Sequence, residues 1–322
     1  VLSAKYRVLK TLGNFNNEIG LPLTVFRLTE DDEVAVLEMG ISDFGEMDRL
    51  SKIAQPDICV ITNIGFCHLE NLGTRDGILK AKTEIFNHMN PDGIVIVNGD
   101  DDKLSTISQV HGKRPLVFGI SNKDGVYADN IKSLGLDGTS FTIHGIKTSD
   151  NYSTFDLTVP VPGHHMVYNA MAAALVGSVL GLSSIEIERG VKNLKTIAGR
   201  NNIIKENGFT IIDDCYNANP VSMKASLDVL DTAIGRKVAI LGSMFELGEN
   251  EKQMHYDVGM YLGTKDIDVL ITAGDLAAQI AAGTRAYIAT NYNAHGCEVH
   301  DFETRDDMLK CCLLYTSDAA DD

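Results

Sequence analysis

Residues 211–223, with the sequence IIDDCYNANPVSM, form the stretch of the chain best suited to binding a ligand. An apolar run ends in Asp213 and Asp214, a polar loop follows, and Pro220 begins a predicted helix. Such a strand delivers side chains to the carboxyl edge of a sheet, where open α/β folds bind ligands. The loop offers carboxylates, a phenol and amides, but no nucleophile beside a base, so it suits holding a nucleotide. A plain strand–turn–helix corner with Asn in the turn explains the same pattern.

A second set of candidate ligands follows the predicted strands of the first half. Glu38 closes the apolar part of VAVLEMG, His68 follows ICVITNIG, and Lys82 lies in KAKTEIF at the start of a helical stretch. A carboxylate and an imidazole that reach one point from neighbouring strands can hold a divalent cation. The alternative from the residues alone is a solvated glutamate, a structural histidine and a surface lysine.

Length and charge limit the classes of protein to consider. A chain of 322 residues favours two domains, and a net charge of −16 argues against a nucleic-acid surface. No apolar run is long enough for a membrane span. These residues include no secretory signal, but the chain starts at Val1 rather than Met, so a preceding segment could have carried one. The six cysteines include no CxxC pair, which indicates a reduced, cytoplasmic protein.

Short apolar runs alternate with segments of helical spacing, which predicts an α/β fold with a central, mainly parallel sheet and a small antiparallel subsheet. A Rossmann-like α/β domain should follow from about residue 199. No GxGxxG is present, which argues against a nicotinamide dehydrogenase. The predicted strands cover residues 34–37, 58–64, 93–97, 116–119, 210–213, 238–241, 269–272 and 298–301, with antiparallel strands in 125–161; the predicted helices cover 45–54, 77–89, 166–180, 222–233, 251–262 and 276–282, and Ser183 with Glu186 should form a capping box.

Two motifs resemble those of a known family. The segment at 213–223 is similar to DDxYNANPxSM of the Mur ligases, and LGSMFELG at 241–248 is similar to their LGxMxELG stretch, in which Met244, Phe245 and Leu247 are expected in the core. The pair resembles the subfamily that adds D-alanyl-D-alanine to UDP-N-acetylmuramoyl-tripeptide. The resemblance therefore implies ATP-dependent amide formation through an acyl phosphate, in peptidoglycan precursor synthesis.

The resemblance also implies roles for individual residues. Glu38, His68 and a carbamylated Lys82 would hold Mg²⁺ and serve as the catalytic set. Arg200 would lie at the domain junction and bind the ATP phosphates, and Asp214 would bind the ribose. The full implied ATP-binding set is Asn17, His165, Asn169, Arg200, Asp214 and Asn217.

The expected domains are a central ATP-binding domain at 1–198, an incomplete C-terminal domain at 199–310, and a non-native tail at 311–322. No GxxxxGK[ST] phosphate loop occurs, so we expect a fragment that is inactive by itself. The whole protein is expected to be a bacterial, cytoplasmic monomer that binds no nucleic acid and inserts into no membrane. The alternatives are another Mur-type ligase, an enzyme like folylpolyglutamate synthase, or a non-catalytic nucleotide-binding protein.

Overall fold

The computed structural model describes the backbone of residues 1–318 and the side chains of residues 1–311. The chain forms two compact units, Val1–Lys195 and Thr196–Asp322. The tail predicted from residue 311 lies partly in the last helix, and its residues 319–322 are outside the described part. No helix in the described residues combines the length and apolarity that crossing a membrane requires.

The first unit is built on a six-stranded sheet in the order β3-β4-β5-β6-β7-β8. The pairings from β3 to β6 are parallel, and those from β6 to β8 are antiparallel, so the predicted antiparallel strands extend the parallel sheet. Two short strands, β1 and β2, pair in parallel with each other. The strands are β1 Val8–Lys10, β2 Val34–Val36, β3 Ile58–Ile61, β4 Ile94–Asn98, β5 Leu116–Gly119, β6 Val126–Ser133, β7 Thr139–His144 and β8 Thr154–Val159.

Both faces of this sheet are covered, which explains the unbroken apolar runs of its strands. In β3, Ile58 and Val60 pack into one hydrophobic cluster, whereas Cys59 and Ile61 lie in another. The helices of the unit are α1 Gly20–Val25, α2 Glu46–Ala54, α3 Leu69–Leu72, α4 Arg75–Thr83, α5 His165–Val179 and α6 Ser184–Lys192.

Two helix predictions in this unit have clear outcomes. The capping box of Ser183 and Glu186 at the start of α6 is confirmed. The single helix predicted over 77–89 is wrong in extent, because the Thr74 hydroxyl caps the Gly77 N–H and starts the helix earlier. After Thr83 the chain tightens into a 3₁₀ turn, where the Glu84 carboxylate accepts a hydrogen bond from the Gly45 N–H at 2.9 Å. A local cap therefore sets the start of α4, and a tertiary contact forms where the helix ends.

The second unit begins with an antiparallel hairpin of β9 Asn202–Glu206 and β10 Phe209–Asp213. Asn207 and Gly208 join the strands with positive φ values of 49° and 79°, as a type I′ turn requires. The prediction that residues 210–213 end at the edge of a parallel sheet is wrong: among the described residues β10 pairs with β9 alone.

A three-stranded parallel sheet forms the core of the second unit, in the order β11-β12-β13. Its strands are β11 Val238–Leu241, β12 Val269–Ala273 and β13 Glu298–Phe302, and its helices are α7 Pro220–Asp231, α8 Glu251–Leu262, α9 Ala277–Thr290 and α10 Arg305–Asp318.

Helix α9 runs eight residues beyond its predicted end at 282. This extension contains a glycine, a residue type that usually weakens a helix interior. That glycine, Gly283, faces α8: a Cβ there would overlap the carbonyl oxygen of Tyr256. Gly259 in α8 makes the reciprocal approach to the carbonyl oxygen of Ile280. The two helices therefore pack backbone to backbone, which a larger residue at either position would prevent.

Gly283→Ala should lower the free energy of unfolding by about 1–3 kcal/mol, because the added methyl group overpacks this contact. Alanine is intrinsically better in a helix than glycine, so a loss of stability identifies the packing term. Urea denaturation followed by circular dichroism measures the change. Gly296→Ala is the control, since a Cβ at Gly296 has no neighbour within 4 Å; equal stabilities for the two variants would contradict the packing argument.

Candidate nucleotide and metal site

Lys82 lies in the last turn of α4, and its ammonium group points back to the chain that leaves β3. Its Nζ donates a hydrogen bond to the carbonyl oxygen of Asn63 at 3.0 Å. Burial lowers the pKa of the Lys82 amine, and the charges of Cys67 and Asp101 oppose that shift. A larger fraction of this amine is therefore neutral, and hence nucleophilic, than for a lysine in water.

His68 ends the segment of residues 62–68, which we call the exit segment because it carries the chain out of β3. The residue is half-buried and occupies the N-cap position of α3 with a left-handed φ of 61°. Its carbonyl oxygen accepts the Leu72 N–H at 3.0 Å. The left-handed backbone is uncommon for histidine, so the local fold holds this residue in a defined place.

Glu38 follows β2 and is exposed. Its Oε1 accepts a hydrogen bond from the Asn16 amide at 2.9 Å, and its backbone N–H donates to the Thr11 hydroxyl oxygen at 2.9 Å. The Asn16 side chain in turn lies against Gly40, where a Cβ would come within 2.9 Å of it. Asn16 is not among the candidate residues selected from the sequence; its position beside the selected Asn17 is the signal that could have found it.

Asn17, the asparagine selected from the sequence, has a local contact in this structure. Its Oδ1 accepts hydrogen bonds from the N–H groups of Ile19 and Gly20, at 3.2 and 2.8 Å, ahead of α1. This is the side-chain turn that asparagine commonly forms. Its contact with a nucleotide stays a prediction.

The segments that carry Glu38, His68 and Lys82 rest on one hydrophobic cluster. Leu37 and Met39, which flank Glu38, pack against the cluster that contains Ile64 of the exit segment and Ala81 of α4. The structure directly joins Lys82 to the exit segment, whereas Glu38 is joined to Asn16.

A complete metal cluster is not formed by unmodified side chains. Among the described residues, no group of three or more His, Cys, Asp and Glu side chains could hold a metal ion. The predicted set contains two such side chains, Glu38 and His68, and a neutral or cationic Lys82 is a poor ligand for a hard cation. Carbamylation of Lys82 would supply the missing anionic oxygens.

His165 and Asn169 are both exposed on α5, one turn apart, as their spacing predicts. The amide of Asn169 lies 3.5 Å from the Met166 sulfur. Between them Tyr168 points inward, and its hydroxyl donates to Asp100 at 2.8 Å. That bond fixes the rotation of the first turns of α5, so that the face carrying His165 and Asn169 points to solvent.

Asp100, which sequence reasoning missed, binds both α5 and the end of β5. Burial would raise the pKa of its carboxyl group, but hydrogen bonds from the N–H groups of Ile120, Ser121 and Asn122 and from Tyr168 bring that pKa below its usual value. A carboxylate with four donors is firmly ionised. The acids that follow β4 in NGDD were the available signal.

In the second unit, the two aspartates of the motif at 211–223 bind the turn that contains Arg200. Asp213 accepts the Gly199 N–H at 2.7 Å, and Asp214 accepts the Asn201 N–H at 2.9 Å and the hydroxyl of Ser226 in α7. Each carboxylate oxygen of Asp214 thus accepts one hydrogen bond. These bonds do not test the predicted contact of Asp214 with ribose, which stays a prediction.

Arg200 is exposed, and its guanidinium stacks on the Tyr216 ring with 4.3 Å between the guanidinium carbon and the ring centroid. Such a contact holds the cation in place without neutralising it. Asn217, the next residue after Tyr216, is also exposed. Arg200 lies in the turn before β9 and Asn217 in the loop after β10, and the stacking of Tyr216 joins that loop to the guanidinium.

Part of the same motif builds the helix that follows. Asn219 and Ser222 form a capping box at the start of α7, with Pro220 in its first turn, and Met223 is buried. The alternative interpretation of the motif, as a turn that leads into a helix, is therefore correct for residues 219–223.

The second motif, at 241–248, divides in the same way. Met244 and Leu247 are buried as predicted, but Phe245 is 72% exposed, so its assignment to the core is wrong. Buried His255 of α8 fixes the loop, because its Nε2 accepts the Met244 N–H at 2.8 Å and its Nδ1 lies 2.6 Å from the Glu251 carbonyl oxygen. These bonds turn Phe245 outward.

The Asp213 contact makes a pH-dependent prediction. The pKa of this carboxyl group lies below its ordinary value of 3.8, because the Cys215 thiol and the Gly199 N–H both donate to it. The hydrogen bond to Gly199 should therefore persist at pH 3.8. It should be lost only when the pH falls through the pKa of Asp213 in the folded protein, which lies below 3.8. The Gly199 amide proton shift, followed by NMR, should titrate with a midpoint below 3.8; Asp213→Asn should abolish the titration, and a midpoint above 3.8 would contradict the contact.

Comparison with known proteins places these features in a family. The model of the Mur ligase middle domain matches residues 1–177, and that of the Mur ligase glutamate ligase domain matches 199–321. UDP-N-acetylmuramoyl-tripeptide–D-alanyl-D-alanine ligase of Bacillus subtilis is 40% identical over 94% of this chain, which spans 64% of that relative's length.

Solved structures agree. Crystal structure II of MurF from Acinetobacter baumannii matches with a TM-score of 0.83 and 32% identity, over 99% of this chain and 66% of that one. MurF from Thermotoga maritima in complex with ADP matches with a TM-score of 0.76 and 29% identity, over 95% and 72% of the respective chains. The chain belongs to the Mur ligase family.

Proposed function

We propose that the protein uses ATP to join D-alanyl-D-alanine to UDP-N-acetylmuramoyl-tripeptide, a step of peptidoglycan precursor synthesis. The identity of 40% with a relative of that name supports the choice of substrates. The observation that carries the chemistry is Lys82, an amine with a lowered pKa whose Nζ is fixed 3.0 Å from the carbonyl oxygen of Asn63. A surface lysine would have neither property.

The reaction has two steps. A carboxylate oxygen of the tripeptide attacks the γ-phosphorus of ATP, the bond to ADP breaks, and an acyl phosphate forms. The amine of D-alanyl-D-alanine then adds to the acyl carbon, loses a proton, and displaces phosphate to leave the amide. Phosphoryl transfer depends mainly on positioning and on neutralising charge, which polar binders and anionic ligands provide.

Lys82 can become an anionic ligand without losing its place. The lone pair of the neutral amine attacks carbon dioxide, a proton leaves, and the product is a carbamate that keeps one N–H. That N–H can continue to donate to the Asn63 carbonyl oxygen. Glu38, His68 and the carbamate of Lys82 would together hold Mg²⁺, which supplies a Lewis acid that neutralises phosphate charge.

Each unit contains residues for which we propose nucleotide contacts. In the first, His165 and Asn169 offer an imidazole and an amide on one exposed helix face, suited to adenine edges. In the second, Arg200 offers a fixed guanidinium to phosphate oxygens, and Asp214 a carboxylate to ribose hydroxyl groups. Asn17 and Asn217 complete the proposed polar set, and we further propose a monomer that acts in the bacterial cytoplasm.

The function is tested with the protein encoded by the complete reading frame. Purified protein, ATP, Mg²⁺ and the nucleotide–tripeptide should yield the pentapeptide product and ADP when D-alanyl-D-alanine is added, detected by mass spectrometry. Single amino acids and glutamate serve as competing amines. Preference for one of these would assign another ligase of the family, and nucleotide binding without product would assign a non-catalytic role.

In that protein, Lys82→Ala should lower kcat by about 100-fold or more, because the anionic ligand is lost. Short-chain carboxylic acids should restore part of the activity, since their oxygens can occupy the vacated position. Turnover measured against acetate or propionate concentration gives the rescue. Glu38→Ala, which should lose activity equally, is the control that these acids should not rescue to the same extent; absence of rescue for Lys82→Ala would contradict the carbamate.

A further inference from the structure

Helix α4 presents two side-chain hydrogen-bond donors to the exit segment. Arg75 Nε donates to the carbonyl oxygen of Ile64 at 3.0 Å, and Lys82 Nζ donates to that of Asn63 at 3.0 Å. The two residues lie seven positions apart, close to two helical turns, so they project from one face of α4. A rigid helix therefore binds two consecutive carbonyl groups of the segment that leads to His68.

Arg75 is itself fixed by a carboxylate. Its Nη1 and Nη2 donate to the two oxygens of Asp102 at 2.9 and 2.6 Å, the bidentate geometry that most restricts a guanidinium. Its guanidinium carbon also lies 5.3 Å from the centroid of the Phe66 ring, farther along the exit segment. Arg75 thus contacts the segment at Ile64 and at Phe66.

A second set of bonds closes the segment from the β4 side. Asp101 Oδ2 accepts the Ile64 N–H at 2.7 Å, and the Asn98 amide donates to the Thr62 carbonyl oxygen at 3.1 Å. With Arg75, these contacts satisfy both backbone groups of Ile64 through side chains. The segment is held by its tertiary partners, because it has no strand or helix of its own before α3.

We propose that Arg75, braced by Asp102, is a positioning residue that fixes the path of the chain between the Lys82 contact and His68. Its catalytic consequence rests on the proposed function, whereas its effect on the exit segment does not. Lysine could not replace it, because an ammonium group cannot bind the Ile64 carbonyl and both Asp102 oxygens in one plane. Small displacements of catalytic groups strongly reduce rates, so the contact matters for turnover.

The chain offers a matched control for the Asp102 brace. Asp76, the residue after Arg75 on α4, pairs with Lys103 Nζ at 2.6 Å. This ion pair joins the same two elements as the pair of Arg75 and Asp102, and its carboxylate is 74% exposed, compared with 65% for Asp102. The Asp76 carboxylate accepts its hydrogen bond from Lys103 rather than from a group of the exit segment.

The first measurement is hydrogen exchange of the amides of residues 62–68 in the chain as it stands. Arg75→Gln should increase their exchange about tenfold or more, the effect of losing a charge-assisted hydrogen bond. Asp102→Asn should give a smaller increase, since asparagine can still accept one bond from Arg75. Asp76→Asn should leave these amides unchanged although it removes an equivalent surface charge.

The second measurement is steady-state kinetics of the complete protein. Arg75→Gln and Arg75→Lys should lower kcat about 10- to 100-fold, the usual effect of losing a residue that orients a metal ligand, with little change in the KM for ATP. Asp102→Glu should recover most of the kcat that Asp102→Asn loses. Asp76→Asn should match the wild-type protein, and thermal denaturation confirms that all variants are folded.

The outcomes separate this inference from the proposed function. If Asp102→Asn and Arg75→Gln match Asp76→Asn in both measurements, the positioning role is wrong even when the wild-type protein is an active ligase. If kcat recovers fully in Arg75→Lys, charge rather than geometry is responsible, which also overturns it. If exchange changes as expected but the wild-type protein forms no amide, the proposed function fails and the structural role of Arg75 stands.

Discussion

The docking of two side chains from α4 onto consecutive carbonyl groups is the interaction on which the first unit's candidate site depends. Arg75 and Lys82 bind Ile64 and Asn63, so the helix and the exit segment cannot move independently. The same contact places the Lys82 amine where burial lowers its pKa. One geometric arrangement therefore accounts for both the position of this lysine and the lowered pKa of its amine.

The second unit uses carboxylates for a comparable purpose. Asp213 and Asp214 bind backbone N–H groups on either side of Arg200, so the turn that carries the guanidinium is fixed by the motif that follows β10. Tyr216 of the same motif supports the guanidinium by stacking. The motif at 211–223 thus caps α7 through Asn219, and it binds the separate turn at 199–201 through its two aspartates.

Many elements could be predicted because their signals are local. The alternation of apolar runs and helical segments predicts the parallel strands, and the capping box at Ser183 needs only neighbouring residues. The hairpin of β9 and β10 also has a local signal, because Asn207–Gly208 is a dipeptide typical of a two-residue hairpin turn. By contrast, the C-terminal end of α4 lies at a contact with Gly45, and the continuation of α9 through Gly283 depends on its packing against α8; no local pattern reports either contact.

The candidate site shows the same division. The sequence by itself determined the chemical types that are present: a carboxylate at 38, an imidazole at 68, an amine at 82, and the acids, amides and cation of the second unit. The tertiary structure alone decided that Asn16 binds Glu38, that Asp100 orients α5 through Tyr168, and that Arg75 and Lys82 meet the exit segment. The physical reason is that a motif specifies the groups within a few residues, whereas desolvation and hydrogen-bond geometry arise from residues far apart in the chain that only folding brings into contact.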